Sequence, residues 1–228
     1  MYQLYIANKN YSSWSLRPWV LLKALSIPFE EKQVAFVSAG ANPAFKAFSP
    51  SAKVPCLIDG DTTVWDSLAI AEYLAERHNA VWPADAKARA WARCAAAEMH
   101  SGFTALRNHC AMSCGVKVRI NAIPPALSHD LQRINELWQE GLTRFGGPFL
   151  AGKNFSAADA FFAPVVFRIN TYQLPVAPQV SAYCEHLLSQ PAMQAWLKDA
   201  LAETWREQEH EDDVAGAGEI IEDLRAGG

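Results

Sequence analysis

Tyr11, Ser12, Ser13 and Ser15 crowd hydroxyls into the stretch Asn10-Tyr11-Ser12-Ser13-Trp14-Ser15-Leu16-Arg17-Pro18-Trp19. Residues 2–7 alternate as a β-strand and lead in; residues 19–25 are apolar at helical spacing and lead out. Hydroxyls at a strand-to-helix junction meet unpaired N–H groups and the positive end of the helix dipole. Such a junction can hold an anion. The plain alternative is that one of Ser12, Ser13 and Ser15 only caps the helix.

Three further motifs carry candidate chemistry. In Ser51-Ala52-Lys53-Val54-Pro55-Cys56-Leu57, a proline stands directly before a predicted strand, where it removes a ladder donor. A cis bond at Pro55 would turn the chain and leave the Val54 N–H and C=O facing outward, free to pair with an extended peptide. An ordinary edge-strand proline is the simpler reading. Asp66-Ser67 opens an amphipathic helix over residues 67–78, and both residue types cap well. The same geometry lets Ser67 and the first free N–H groups hold a carboxylate while Asp66 holds an ammonium. Ser156-Ala157-Ala158-Asp159 has the spacing of a capping box, with Phe155 as its hydrophobic staple, and reads as structural. His100, His109, Cys110 and Cys114 give a weak zinc signal without a second ligand pair, so no metal is expected.

The elements that must position these residues fall into two sets. Residues 1–80 read β-α-β-α-β-β-α, a small mixed sheet with helices on it. Asp59-Gly60-Asp61 marks a hairpin turn between strands at 54–57 and 63–65. Residues 87–210 are helical at nearly every turn, with long helices at 88–111 and 124–144, the second ended by Gly146-Gly147-Pro148. Helices at 157–169, 180–189 and 192–207 follow. Residues 211–228 are acidic and Gly-rich, and a mobile or loosely docked tail is expected.

The chain has 228 residues and a formal net charge of −4. That balance offers no basic excess for nucleic acid. No apolar run reaches the roughly 18 to 20 residues of a membrane span, and no secretory leader is visible. Five cysteines without a repeat read as reduced thiols in a cytoplasm.

Taken together and in this order, the four motifs resemble those of the glutathione transferase superfamily over nearly the whole chain. The resemblance implies an α/β thioredoxin-like N-terminal domain and an all-α C-terminal domain. Ser-Ser-Trp-Ser-x-Arg is most similar to the serine-type, zeta-like members, whose signature is Ser-Ser-Cys-x-x-Arg. By that resemblance Ser12 activates the glutathione thiol, with Ser13 in support. A thiol has an ordinary pKa of about 8.5, so a donated hydrogen bond at a helix start raises its thiolate fraction. Tyr5 and Tyr11 are rival activators of the tyrosine type. A cysteine-type site is disfavoured because the turn holds no cysteine, and Cys56 reads as a buried hydrophobe. The resemblance further implies Lys53 at the glycine carboxylate, Val54 and Pro55 at the cysteinyl backbone, Asp66 and Ser67 at the γ-glutamyl end, and Asn42 near the glycyl end. Met99, Phe103, Leu106, Arg107 and Met112 are candidates for the second-substrate pocket, or else helix–helix core. Two departures stand out: Trp14 replaces the signature cysteine, and Thr171 replaces an arginine used for acidic substrates, with Arg168 one turn away. The expected activity is addition of the glutathione thiolate to a small hydrophobic electrophile by a homodimer. A glutathione-dependent isomerase or peroxidase, and a non-catalytic binding module, are the alternatives.

Overall fold

Period-two alternation in the first sixty residues builds one sheet, described by a computed structural model covering residues 1–38 and 41–225. Strands β1 (Tyr2–Ile6), β2 (Phe29–Gln33), β3 (Cys56–Asp59) and β4 (Thr62–Val64) lie in the order β2-β1-β3-β4. β1 and β2 are parallel, joined through α1 (Ser13–Ala24), because parallel neighbours need a crossover. β3 and β4 are an antiparallel hairpin about Gly60, whose φ of +63° suits glycine. Leu4 and Ile6 point into the main core with Leu16 and Val20 of α1. Tyr5, on the opposite face, stacks on Phe48 at 4.0 Å between ring centroids. A 3-10 turn at Pro43–Ala47 seats Phe45 beside Tyr11 and Phe36 in a second, smaller cluster. Helix α2 (Ser67–Ala75) completes the first half and buries Ile70, Ala71 and Leu74.

The helical half is organised around α6 (Ala157–Tyr172), buried along its length except at Asn170. Its start is the predicted capping box. Asp159 accepts from the backbone of Leu150 at 3.0 Å and of Ser156 at 2.9 Å, and from the Tyr183 hydroxyl at 3.0 Å. Burial still pushes its carboxyl above the ordinary range, against the pull of those bonds. Against α6 pack α1, α3 (Ala86–Ser101) and α7 (Pro178–Leu188); α5 (Pro125–Phe145) touches it through Trp138 on Phe162, and α8 (Pro191–Ala202) packs on α1 and α7. Gly141 of α5 lets the backbone close on α3: a Cβ there would meet Trp91 at 2.4 Å and the Leu150 carbonyl at 2.5 Å.

Three expectations are corrected. The helix expected over 88–111 is broken: α3 stops at Ser101 and α4 (Thr104–His109) starts afresh. Gly102 is extended, with its Cα so close to the Glu98 carbonyl that a Cβ would lie at 2.8 Å, and Phe103 is left-handed at φ 54°. The second half also carries a ribbon, β5 (Val116–Ile120) paired antiparallel with β6 (Gly218–Asp223). The tail is therefore docked rather than loose. Helix α9 (Gln208–Ala217) and β6 continue the chain to a clamp in which Arg225 grips Glu211 at 2.5 and 2.9 Å and Asp223 at 2.7 Å. Two of its acidic residues, Glu211 and Asp223, are the anions of that clamp, a pairing that composition does not show. Positions 226–228 of the expected tail lie outside the described residues.

One buried cation joins the halves. Lys9 is 3% exposed and pairs with Glu31 of β2 at 2.9 Å and Asp199 of α8 at 2.6 Å, over the faces of Trp19 and Trp196. Glu203 takes the N–H groups of Lys9 and Asn10 at 2.6 and 3.1 Å. All five cysteines are free thiols. Among the described residues no helix is long and apolar enough to cross a membrane.

Candidate functional site

α1 begins in a cleft of about 460 Å³ between the two halves, and Ser12, Ser13 and Trp14 form one wall of it. Ser12 stands at the N-cap of α1, yet its hydroxyl makes no capping bond. It donates instead to the Ser15 hydroxyl at 2.7 Å, and Ser15 accepts the Ala7 N–H at 3.2 Å. Hydroxyl protons rotate. If Ser15 donates to Ser12, the Ser12 proton is released toward the cleft, and the chain of bonds from Ala7 strengthens it as a donor. Tyr11 also lines the cleft, but its hydroxyl donates to Glu211 at 2.5 Å. Burial and that carboxylate raise the Tyr11 hydroxyl well above its ordinary pKa, which makes it a poor thiol activator.

Lys53 and Val54 line the same cleft as Ser12. The Val54-Pro55 bond is cis, and the β3 pairing begins only at Cys56, so Val54 stays outside the ladder. Pro55 itself is buried. Across the cleft, the break at Gly102-Phe103 brings α4 and the following loop round, and Arg107, Asn108, Ala111 and Met112 line it. Arg168 reaches it from α6, donating to the Cys110 carbonyl at 2.7 Å. Burial lowers the Arg168 guanidinium to about 10 and lowers Arg107 as well, but both remain cations at neutral pH. Trp14 carries Arg17 at 4.0 Å and Arg107 at 4.7 Å over its ring. Arg17 is buried, its Nε and Nη1 have no partner among the described residues, and burial brings it down to about 9. The lining therefore sets Lys53, Arg107 and Arg168 against Asp213, a field that favours an anion.

Several expected residues lie elsewhere. Met99 is fully buried and Phe103 packs against Phe162 at 6.4 Å, so both belong to the core rather than to the cleft. Leu106, fully buried, does likewise. Asn42 caps the 3-10 turn through Ala44 N–H and donates to the Ala35 carbonyl, while its neighbour Ala41 lines the cleft. Asp66 caps α2 through Leu68 N–H at 3.0 Å and sits 3.4 Å from His100. Ser67 is buried, with its hydroxyl unpartnered among the described residues. Neither Asp66 nor Ser67 forms the cleft wall. No cluster of possible metal ligands occurs among the described residues. Phe36, Ala41, Ala52, His210 and Asp213 also line the cleft and were not singled out from sequence. Only Ala52, beside Lys53, lay within a motif; nothing local marks His210 or Asp213, because the tail comes from the far end of the chain.

A thioredoxin-like sheet with a serine-lined helix start and a cis-proline turn, set against a helical half across a cleft, defines the architecture. Residues 11–77 match the model of the glutathione S-transferase N-terminal domain and residues 72–199 that of its C-terminal domain. The chain belongs to the glutathione S-transferase family. A probable maleylacetoacetate isomerase of Caenorhabditis elegans is 29% identical over 184 residues, 77% of this chain and 82% of that protein. Glutathione S-transferase theta-1 of Bos taurus is 28% identical over 210 residues, 85% and 81% of the two chains. A glutathione transferase homolog from Burkholderia gl BGR1, solved with bound glutathione, superposes with a TM-score of 0.65 at 25% identity, over 87% of this chain and 97% of that one.

Proposed function

We propose that the cleft binds glutathione and that Ser12 donates a hydrogen bond to its sulfur, holding the thiolate for addition to a small electrophile. The observation that carries this is the Ser12 hydroxyl itself, at a helix N-cap, on the cleft wall, and not spent on capping. Ser15 orients it, and Ser13 stands beside it. Lys53 meets the glycine carboxylate and Val54 pairs with the cysteinyl backbone; Asp66 and Ser67, at the start of α2 beyond the cleft wall, take the γ-glutamyl end. Lowering the thiol pKa by one unit from 8.5 raises the thiolate at pH 7 from about 3% to about 24%, worth about 1.4 kcal/mol. No metal or redox group is needed, since the sulfur is the nucleophile.

The test is thiolate absorbance of bound glutathione against pH. Ser12→Ala should raise the thiol pKa by about one unit and lower turnover several-fold. Ser13→Ala should do neither; the reverse pattern would transfer the role to Ser13. Failure of the wild-type protein to bind immobilised glutathione would remove the assignment altogether.

A second reading, a glutathione-dependent isomerase, is favoured by one observation: Arg107 and Arg168 both reach the cleft, where they can hold a carboxylated substrate. The relative named as a probable maleylacetoacetate isomerase fits the same reading. Parallel assays with chloro-nitroaromatics, hydroperoxides and maleyl compounds separate the two. The homodimer is proposed with them, and sedimentation at twice the 25.1 kDa of the chain would establish it.

A further inference from the structure

His210 lies on the cleft wall, in the first turn of α9, and no part of the reaction above uses it. Its ring is held on two sides. It lies nearly parallel to Tyr11 at 4.9 Å and to Phe36 at 5.4 Å between centroids. Its Nδ1 sits 2.6 Å from a carboxylate oxygen of Glu207, which is 5% exposed and also accepts the His210 N–H at 3.0 Å. A carboxylate on one ring nitrogen keeps the proton there and leaves the other nitrogen, Nε2, as the basic one. Tyr11, Ser12 and His210 line the same cleft, so a sulfur held by the Ser12 hydroxyl and this ring share one cavity.

We propose that His210, positioned by Glu207, accepts the proton of the glutathione thiol and stands as an imidazolium beside the thiolate. The proposal rests on the glutathione reading of the cleft. In the step, the S–H bond breaks, its electron pair stays on sulfur, and the proton forms a bond to Nε2, directly or through one water. Charge is conserved: a neutral thiol and a neutral imidazole become an anion and a cation, and Glu207 backs the cation. The charged groups near the ring are Glu207, Arg206, Glu211 and Asp213 on its own segment, with Arg225 paired to Glu211. Lys53 faces it from the loop before β3, and Arg107 and Arg168 from across the cleft. Glu207 holds Nδ1 at 2.6 Å, and the cleft cations line the cavity that would take the thiolate.

The test counts protons. Glutathione is added to the protein near pH 7 in weakly buffered solution with a pH indicator, while ultraviolet absorbance reports the thiolate formed. S-methylglutathione, which has no thiol proton, supplies the background to subtract. The wild-type protein should release well under one proton for each thiolate formed, because His210 keeps it. His210→Gln should release one per thiolate, and its kcat/KM should fall by about 100-fold, within the usual range for a general base. Glu207→Gln, which keeps the ring, should fall between. One full proton per thiolate from the wild type would overturn the assignment without any variant. So would a His210→Gln protein that weakens glutathione and S-methylglutathione equally at unchanged proton release, which would make His210 a carboxylate contact. A wild-type protein that binds neither peptide would overturn the glutathione reading itself, a separate result.

Discussion

Arg225→Met should detach the end of the chain from the cleft without unfolding the rest. In the native clamp the guanidinium donates to Glu211 at 2.5 and 2.9 Å and to Asp223 at 2.9 and 2.7 Å. Methionine keeps most of the stem, which lies against Gly115, but removes every donor. Glu211 and Asp223 would be left without their cation, with side chains 22% and 27% exposed. Removing one partner of a fully buried pair costs about 3–5 kcal/mol. These carboxylates can partly rehydrate, so about 2–3 kcal/mol is the better figure. That opens the segment roughly 30- to 150-fold more often. Hydrogen exchange should show the increase in α9 and β6, with β1 and α6 unchanged, and glutathione affinity should weaken as the His210 and Asp213 wall is lost. Unchanged exchange in β6, or an equal rise in every element, would refute the argument.

The same clamp should loosen in acid. Burial pushes the Glu211 carboxyl up, but bonds from Arg225 and Tyr11 outweigh it and leave it below the ordinary range; Arg225 does the same for Asp223. Both groups are depressed in the folded state, so their stabilisation is present above the ordinary carboxylate range and lost as pH falls below about 4. Exchange in β6, corrected for the intrinsic rate, should rise there first. Gly141→Ala drives a methyl into Trp91 and the Leu150 carbonyl and should cost about 1–3 kcal/mol, read as a lower melting temperature. Asp159→Ala strips the N–H groups of Leu150 and Ser156 and the Tyr183 hydroxyl of their acceptor at full burial and should cost about 3–5 kcal/mol in denaturant unfolding, far more than Ser156→Ala at about 1 kcal/mol.

Much of the fold could be read because its signals are local. The strand-turn-helix at 2–25, the hairpin at Gly60, the proline before β3 and the capping box at Ser156 each complete themselves within a few residues. The misreadings share one cause: the deciding partner is distant. Val116, Val118 and Ile120 alternate as a strand should, but their partner begins at Gly218, about a hundred residues on. The acidic, Gly-rich tail reads as mobile until Arg225 is folded back onto Glu211. In the site, Ser12, Ser13, Lys53, Val54, Arg107 and Met112 line one cleft, whereas Met99 turns into the core from α3 and Phe103, at the break, packs on Phe162. His210 was invisible for the same reason as the ribbon.

The Lys9 junction has a bearing on how such a chain can be cut and recombined. Asn10 and Lys9 are tied by hydrogen bonds to Glu203 and by charge to Asp199, two residues before the serines that line the cleft. A sheet domain transplanted onto a foreign helical partner would keep its strands yet lose the anchor of the serine loop. The exchangeable unit is thus not the domain that folds but the domain plus the α8 segment that holds its loop. A chimera joined near residue 80 should bind the peptide well only if the incoming partner brings counterparts of Asp199 and Glu203.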